Sequence, residues 1–312
     1  MKNLLIIAFL SSFLLGCQPD RTPQDLRLAG GSVERYEQFP SEFIKPRHVD
    51  VWLPEGYNEQ QQYEVLYMHD GQMLFDSTTT WNKQEWGVDD VMSQLISQGK
   101  VRSTIVVGVW NTEFRHSEYF PQKPFESLPA ELQDSLIQQG KRNGATALFK
   151  SEIQSDNYLA FLVQELKPFI DREYATYPDR DHTFVAGSSM GGLISMYALC
   201  EYPTVFGGAA CLSTHWLGTF DTLNNPIPAQ FAAYLKNQLP ANDQHKIYFD
   251  FGTETLDAYY EPYQFMIDAV MLERGYDERN WQTWKFDRAD HSERAWKQRL
   301  HIPLIFLLGK DH

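Results

Sequence analysis

Apolar positions along the chain fall into short dense runs between polar turns, and longer stretches of helical period lie between those runs. In "RHVDVWLPEGY" (47–57) apolar and polar residues alternate up to a Pro and a Gly, which predicts a strand and a turn. "YEVLYMHDGQ" (63–72), "STIVVGVW" (103–110), "HTFVAGS" (182–188), "FGGAACLS" (206–213), "HKIYFDFG" (245–252) and "WQTWKF" (281–286) are further short runs without strict alternation. That pattern suits central strands covered on both faces. Helical periodicity fills the gaps: 157–174, with Leu159, Leu162, Val163 and Leu166 near one face, 191–203 ending at Pro203, and 260–276 ending at Gly275. Strands separated by helices predict an α/β fold, a mostly parallel central sheet flanked by helices. The polar stretch from about 121 to 156, with helical pieces such as "PAELQDSLIQQ", reads as an insertion covering one edge of a pocket.

One junction carries chemistry. In "FVAGSSMGG" (184–192) an apolar run ends at Ala186, and Gly187-Ser188-Ser189-Met190-Gly191 matches G-x-S-x-G before a helical pattern. A sharp strand-to-helix bend needs small flanking residues and forces the central side chain outward, making Ser189 the expected nucleophile. The alternative is a tight structural turn. A serine hydroxyl needs a base, and that base needs a carboxylate to orient it. Of nine histidines, His291 sits in the polar loop "DRADHSERAW" directly after the last expected strand, where the nucleophile–acid–histidine order places the base. The acid should follow "KIYFDFG": Asp250 lies within the strand pattern, whereas Glu254 and Asp257 lie beyond Gly252, and Asp257 is favoured with Glu254 as the alternative. Developing oxyanion charge needs two backbone N–H groups. Met190, next after the nucleophile, and Gln72, in the loop of "YMHDGQMLFD", are expected to supply them, with His69 and Asp70 holding that loop. Trp110, Asn111, Arg115, His215 and Trp216 follow strand ends and are candidate pocket walls.

The start of the chain adds location. Residues 1–16, "MKNLLIIAFLSSFLLG", carry one Lys and then an apolar run too short for a comfortable membrane span, and read as an export signal. Cys17 follows directly and resembles the lipidated cysteine of a bacterial lipoprotein signal. Gln18 after it resembles outer-membrane sorting. Residues 17–31 are then a polar tether and 32–309 the catalytic domain. The net charge of −14 argues against nucleic-acid binding, which needs cationic clusters, and leaves lipid on Cys17 as the means of membrane contact. Cys200 and Cys211 are expected as buried free thiols, and two cysteines make no zinc pattern.

"YMHDGQMLFD", "VAGSSMGGLISMYALCEYPTVFGGAACLS", "FGTETLD" and "DHSERAW" together resemble the esterase family of α/β hydrolases that includes esterase D type enzymes, feruloyl esterases, enterobactin-type siderophore esterases and mycolyl transferases. The resemblance spans about residues 32 to 309. It implies the α/β-hydrolase fold, a Ser-Asp/Glu-His triad and no cofactor or metal. Ser189 and His291 fall on the family nucleophile and base, and Gln72 and Met190 on the oxyanion positions. Many relatives carry the acid as the fourth residue of a Gly-x-x-Asp run. Thr255 stands there in this chain, and an insertion of two residues would bring Asp257 into register.

Three functions are in competition. The first is hydrolysis of a small-molecule or saccharide carboxylic ester. The second is acyl transfer to another alcohol by the same triad. The third is a non-catalytic lipoprotein that binds a carbohydrate or partner on a hydrolase scaffold. The overall acidity argues against an acidic ligand such as a siderophore.

Overall fold

The computed structural model describes residues 20–310 other than 143, 223 and 243. The signal segment 1–16 and Cys17 therefore lie outside the described residues. Eleven strands are present among them: β1 (Arg21–Pro23), β2 (Ser32–Phe39), β3 (Arg47–Leu53), β4 (Glu64–His69), β5 (Thr104–Val109), β6 (Lys141–Arg142), β7 (Thr146–Ala147), β8 (Thr183–Ser188), β9 (Gly208–Leu212), β10 (Lys246–Gly252) and β11 (Trp281–Phe286). Nine form one sheet in the order β1-β2-β3-β5-β4-β8-β9-β10-β11. The edge from β1 to β5 is antiparallel, and the run from β5 to β11 is parallel. This is the expected mostly parallel sheet, and the seven expected strands are β3, β4, β5, β8, β9, β10 and β11.

Side-chain alternation builds a core on each face. Along β4, Val65 and Tyr67 enter the core beneath the helices Met190–Glu201 and Ile227–Gln238. Leu66 and Met68 enter the opposite core with the helices Val88–Ser97 and His301–Leu308. Every residue of β4, β5 and β8 is buried, which is why these runs carry no polar alternation. β11 differs from the other short runs: it is the sheet edge, and Trp284 on it is 48% exposed. The helical stretch expected at 157–174 runs over Ser155–Glu173 with a π-helical section, Phe161–Leu166, just before Pro168, whose missing N–H breaks the regular ladder.

The insertion is also as expected. It holds the helices Gln122–Glu126 and Ala130–Gln139 and the hairpin β6–β7. Cys200 and Cys211 are buried and unpaired. Within the segment read as a tether, Arg21–Pro23 pairs with β2, Arg27 N–H donates to Asp76 and Ala29 N–H to Asp89, so this described part is docked on the domain.

Candidate active site

β8 ends at Ser188 and the next helix begins at Met190, leaving one residue to turn the chain. Ser189 takes φ 57° and ψ −121°, a region that L-residues rarely occupy. Gly187 permits the bend, because a Cβ there would stand 2.7 Å from the backbone of Gly191. The elbow is pinned by Ser189 N–H to Leu212 O at 2.9 Å and His215 N–H to Ser189 O at 3.2 Å.

His291 follows β11 and lies across the same opening. Its Nδ1 meets Asp257 Oδ1 at 2.5 Å, and its backbone N–H donates to Thr255 Oγ1 at 2.9 Å. Thr255 thus anchors the histidine loop. Asp257 Oδ2 accepts from Ser213 Oγ at 2.5 Å and from Gly252 N–H at 2.6 Å. Burial alone would raise the Asp257 carboxyl. The hydrogen bond and charge of His291, with the Ser213 and Gly252 donors, reverse this and hold it below the ordinary carboxylate range. Glu254 is exposed before the short helix Thr255–Tyr259, and Asp250 turns away to Arg299 and Tyr248. Of the three acids considered, Asp257 is the one brought to His291.

The loop after β4 packs on the elbow: a Cβ built at Gly191 would lie 3.4 Å from both Asp70 Oδ2 and His69 Cβ. His69 and Asp70 hold this loop as expected. His69 Nδ1 bonds to Tyr158 Oη at 2.7 Å, and Asp70 takes both Arg115 Nε and Nη2 at 2.7 Å and Asn111 Nδ2 at 2.6 Å. Gln72 lies on the short helix Gly71–Met73, and its Oε1 accepts from the Asn111 N–H at 3.2 Å.

Ser189, Met190, Arg115, His215 and His291 line one cleft of about 240 Å³. The other three expected wall residues lie elsewhere. Trp216 is fully buried, bonded to Gln264 Oε1 and packed on Phe249 and Phe231, so it belongs to the core. Trp110 donates to Asp50 and, with Asn111, lines a separate surface depression beside Arg47 and His48. Asn111 acts on the cleft indirectly, through Asp70.

Sequence reasoning missed three contributors. Tyr260 Oη hydrogen-bonds His215 Nδ1 at 2.7 Å, and its ring stands edge-on to His291 with centroids 5.9 Å apart. Ser213 Oγ accepts from Trp296 Nε1 and Arg299 Nη2, each at 2.9 Å, while donating to Asp257. Trp296 also sets its ring edge-on to His291, with centroids 5.0 Å apart. Ser213 directly follows a strand end in "CLSTHW", the position class that drew attention to His215, and that was the available signal. Among the described residues no group of three or more His, Cys, Asp or Glu side chains converges as a metal site would.

The family model described as "Putative esterase" matches residues 41–307. The chain belongs to this esterase family. Within it, the protein is 24% identical to the uncharacterized protein YjcH of Bacillus subtilis (strain 168), over 57% of this chain and 59% of that one. It is 25% identical to an endo-1,4-beta-xylanase/feruloyl esterase of Xylanibacter ruminicola, over 59% of this chain and 22% of that one. The match thus spans less than two thirds of either relative. A solved ferulic acid esterase superposes with a TM-score of 0.62 at 18% identity, covering 89% of this esterase and 98% of that chain, which establishes a common fold.

Proposed function

We propose that this protein hydrolyses carboxylic esters through a serine acyl-enzyme. Ser189 Oγ attacks the ester carbonyl carbon and His291 Nε2 takes its proton, while ionised Asp257 holds His291 Nδ1–H and balances the imidazolium charge. The N–H groups of Met190 and Gln72 donate to the tetrahedral oxyanion. Collapse breaks the carbon–oxygen bond, and the alcohol leaves with the proton from His291. Water then gives a proton to His291 and attacks the acyl carbon. A second collapse releases the acid and returns the proton to Ser189 Oγ.

The observation that supports this reading best is the pairing of His291 Nδ1 with buried Asp257 at 2.5 Å beside a serine held at positive φ in the same cleft. Structural ion pairs do not require a strained serine, and a plain turn does not require an oriented imidazole. The test is labelling by a neutral fluorophosphonate together with turnover of phenyl acetate. Ser189→Ala should abolish both with the melting temperature unchanged. A folded wild-type protein that neither labels nor turns over the ester overturns the reading.

The same reading places the enzyme outside the cytoplasm, with residues 1–16 removed, lipid on Cys17 and a catalytic domain from about residue 32 to 309. Cells fed a radiolabelled fatty acid should label the wild-type protein and not Cys17→Ser. Equal labelling of both would remove the anchor from this account.

A further inference from the structure

The protein carries a net charge of −14, yet its catalytic cleft is cationic. Arg115, Arg142 and Lys150 line it against one carboxylate, Glu113, which pairs with Lys45 Nζ at 3.4 Å. Arg115 is committed to Asp70. Among the described residues Arg142 makes no carboxylate ion pair, and Lys150 meets only Glu113, whose carboxyl it and Lys45 both help to lower. Both come from the insertion: Arg142 is on β6, opposite Thr146 of β7, and Lys150 follows this hairpin. The Arg142 guanidinium lies 5.9 Å from the Phe220 ring, and Phe220 in turn packs on His215 at 5.4 Å between centroids. Arg142 is therefore held on the wall that leads from the insertion to the elbow.

The cleft histidines sense the same sign of charge. His116 is pushed down to about 3, first by burial and then by Arg115 and Arg142, despite its bond to the Gly218 carbonyl. His215 is held well below its ordinary value, first by burial and then by His116, His291 and Arg115. Both rings are neutral at working pH, so the excess positive charge of the cleft comes from Arg142 and Lys150 set against the single carboxylate of Glu113, which Lys45 also shares. An excess of long cationic side chains beside a nucleophile attracts a substrate of opposite charge and raises its encounter rate.

Resting on the ester-hydrolase reading, we propose that Arg142 and Lys150 form an anion subsite and that the substrates are esters bearing a carboxylate or similar anionic group. This reverses the expectation drawn from net charge. That charge is a whole-surface sum, whereas the substrate meets the local field of the cleft. The insertion is then a specificity element, and the triad's chemistry is independent of it.

Three esters of similar size test this: phenyl acetate, 3-carboxyphenyl acetate with the anion on the leaving alcohol, and phenyl hydrogen succinate with the anion on the acyl group. The wild-type enzyme should favour at least one anionic ester over phenyl acetate by about tenfold or more in kcat/KM at low salt, and 0.5 M salt should shrink the preference. Arg142→Gln with Lys150→Gln should lower that ester about tenfold and leave phenyl acetate within about twofold. Which anionic ester responds tells whether the acyl or the alcohol side faces the insertion. Equal kcat/KM for the three esters, or a double variant that lowers all three alike, overturns the subsite. Fluorophosphonate labelling separates the two readings. An enzyme that labels at Ser189 without anion preference loses the subsite alone, and one that neither labels nor turns over any ester loses both.

Discussion

Asp257 holds His291 on one oxygen and two other donors on the second, and each bond acts on the ring through the carboxylate. Asp257→Asn would present an amide to His291 Nδ1 and favour the wrong tautomer. We expect kcat to fall on the order of a thousandfold or more, while Glu254→Gln, at an exposed position, should stay within about twofold. Comparable losses in the two variants would remove Asp257 from its role. Ser213 is a positioning residue in this arrangement, because it touches Asp257 and not the reacting atoms. Ser213→Ala removes a charge-assisted hydrogen bond and strands the Trp296 and Arg299 donors, and kcat should fall by about ten- to thirtyfold. The sign of the pH effect follows from Asp257. Its pKa is depressed in the fold, so its ionised form is present above the ordinary carboxylate range and is lost as pH falls through the lowered value. Removing the Ser213 donor raises that value, so the acid-side loss of kcat/KM should begin at higher pH. A profile that keeps its shape while kcat falls would assign Ser213 a purely structural part.

The elements that place the site were legible to unequal degrees. β4, β5, β8, β9 and β10 were readable because both faces are buried and the runs are nearly all apolar. β2 was not, since "SVERYEQF" buries three widely spaced residues among charges, and neither was the helix Ile227–Gln238, whose start after Pro226 lacks a side-chain cap. Ser189, His291 and Asp257 could be named because each lies at a strand end in a fixed chain order. Trp216 misled for the same reason: it also follows a strand end, but its ring turns inward onto Phe249. Arg142 could not be assigned to the cleft, because no local pattern tells how an insertion folds back. One junction makes a strand-end prediction concrete. A Cβ on Gly252 would stand 2.1 Å from Ala289 O, which accepts from the N–H groups of Thr253 and Glu254. Gly252→Ala must therefore push the 287–291 loop outward and carry His291 with it. We expect stability to drop by about 1–3 kcal/mol and kcat to fall more than tenfold, read by urea unfolding and ester turnover. Unchanged kcat would show that the histidine loop does not depend on this contact.

On the scale of the whole molecule, buried titratable groups set how stability responds to acid, and two kinds act in opposite directions. His69 and His116 are pushed down to about 3, in both cases first by burial. Between that value and 6.5 the unfolded chain binds a proton at each that the folded chain refuses, so stability falls as pH drops below 6.5. Glu64 does the reverse. Burial, incompletely offset by Arg102, raises it from 4.5 to about 7, so in that window the folded chain keeps a proton that the unfolded chain releases. Its contribution is full below 4.5 and is lost as pH rises through 7. Each group changes the slope of unfolding free energy by about 1.4 kcal/mol per pH unit within its window. His116→Gln keeps a donor for the Gly218 carbonyl at the bond now 2.9 Å long, and should flatten the decline of stability between pH 6.5 and 4.5. Glu64→Gln removes the opposing group and should steepen it. Urea midpoints taken across this range for the wild type and both variants test the two signs together. Parallel curves for the three proteins would mean that these side chains titrate in the fold as they do in the open chain, and the burial that also keeps the cleft histidines neutral would lose its support.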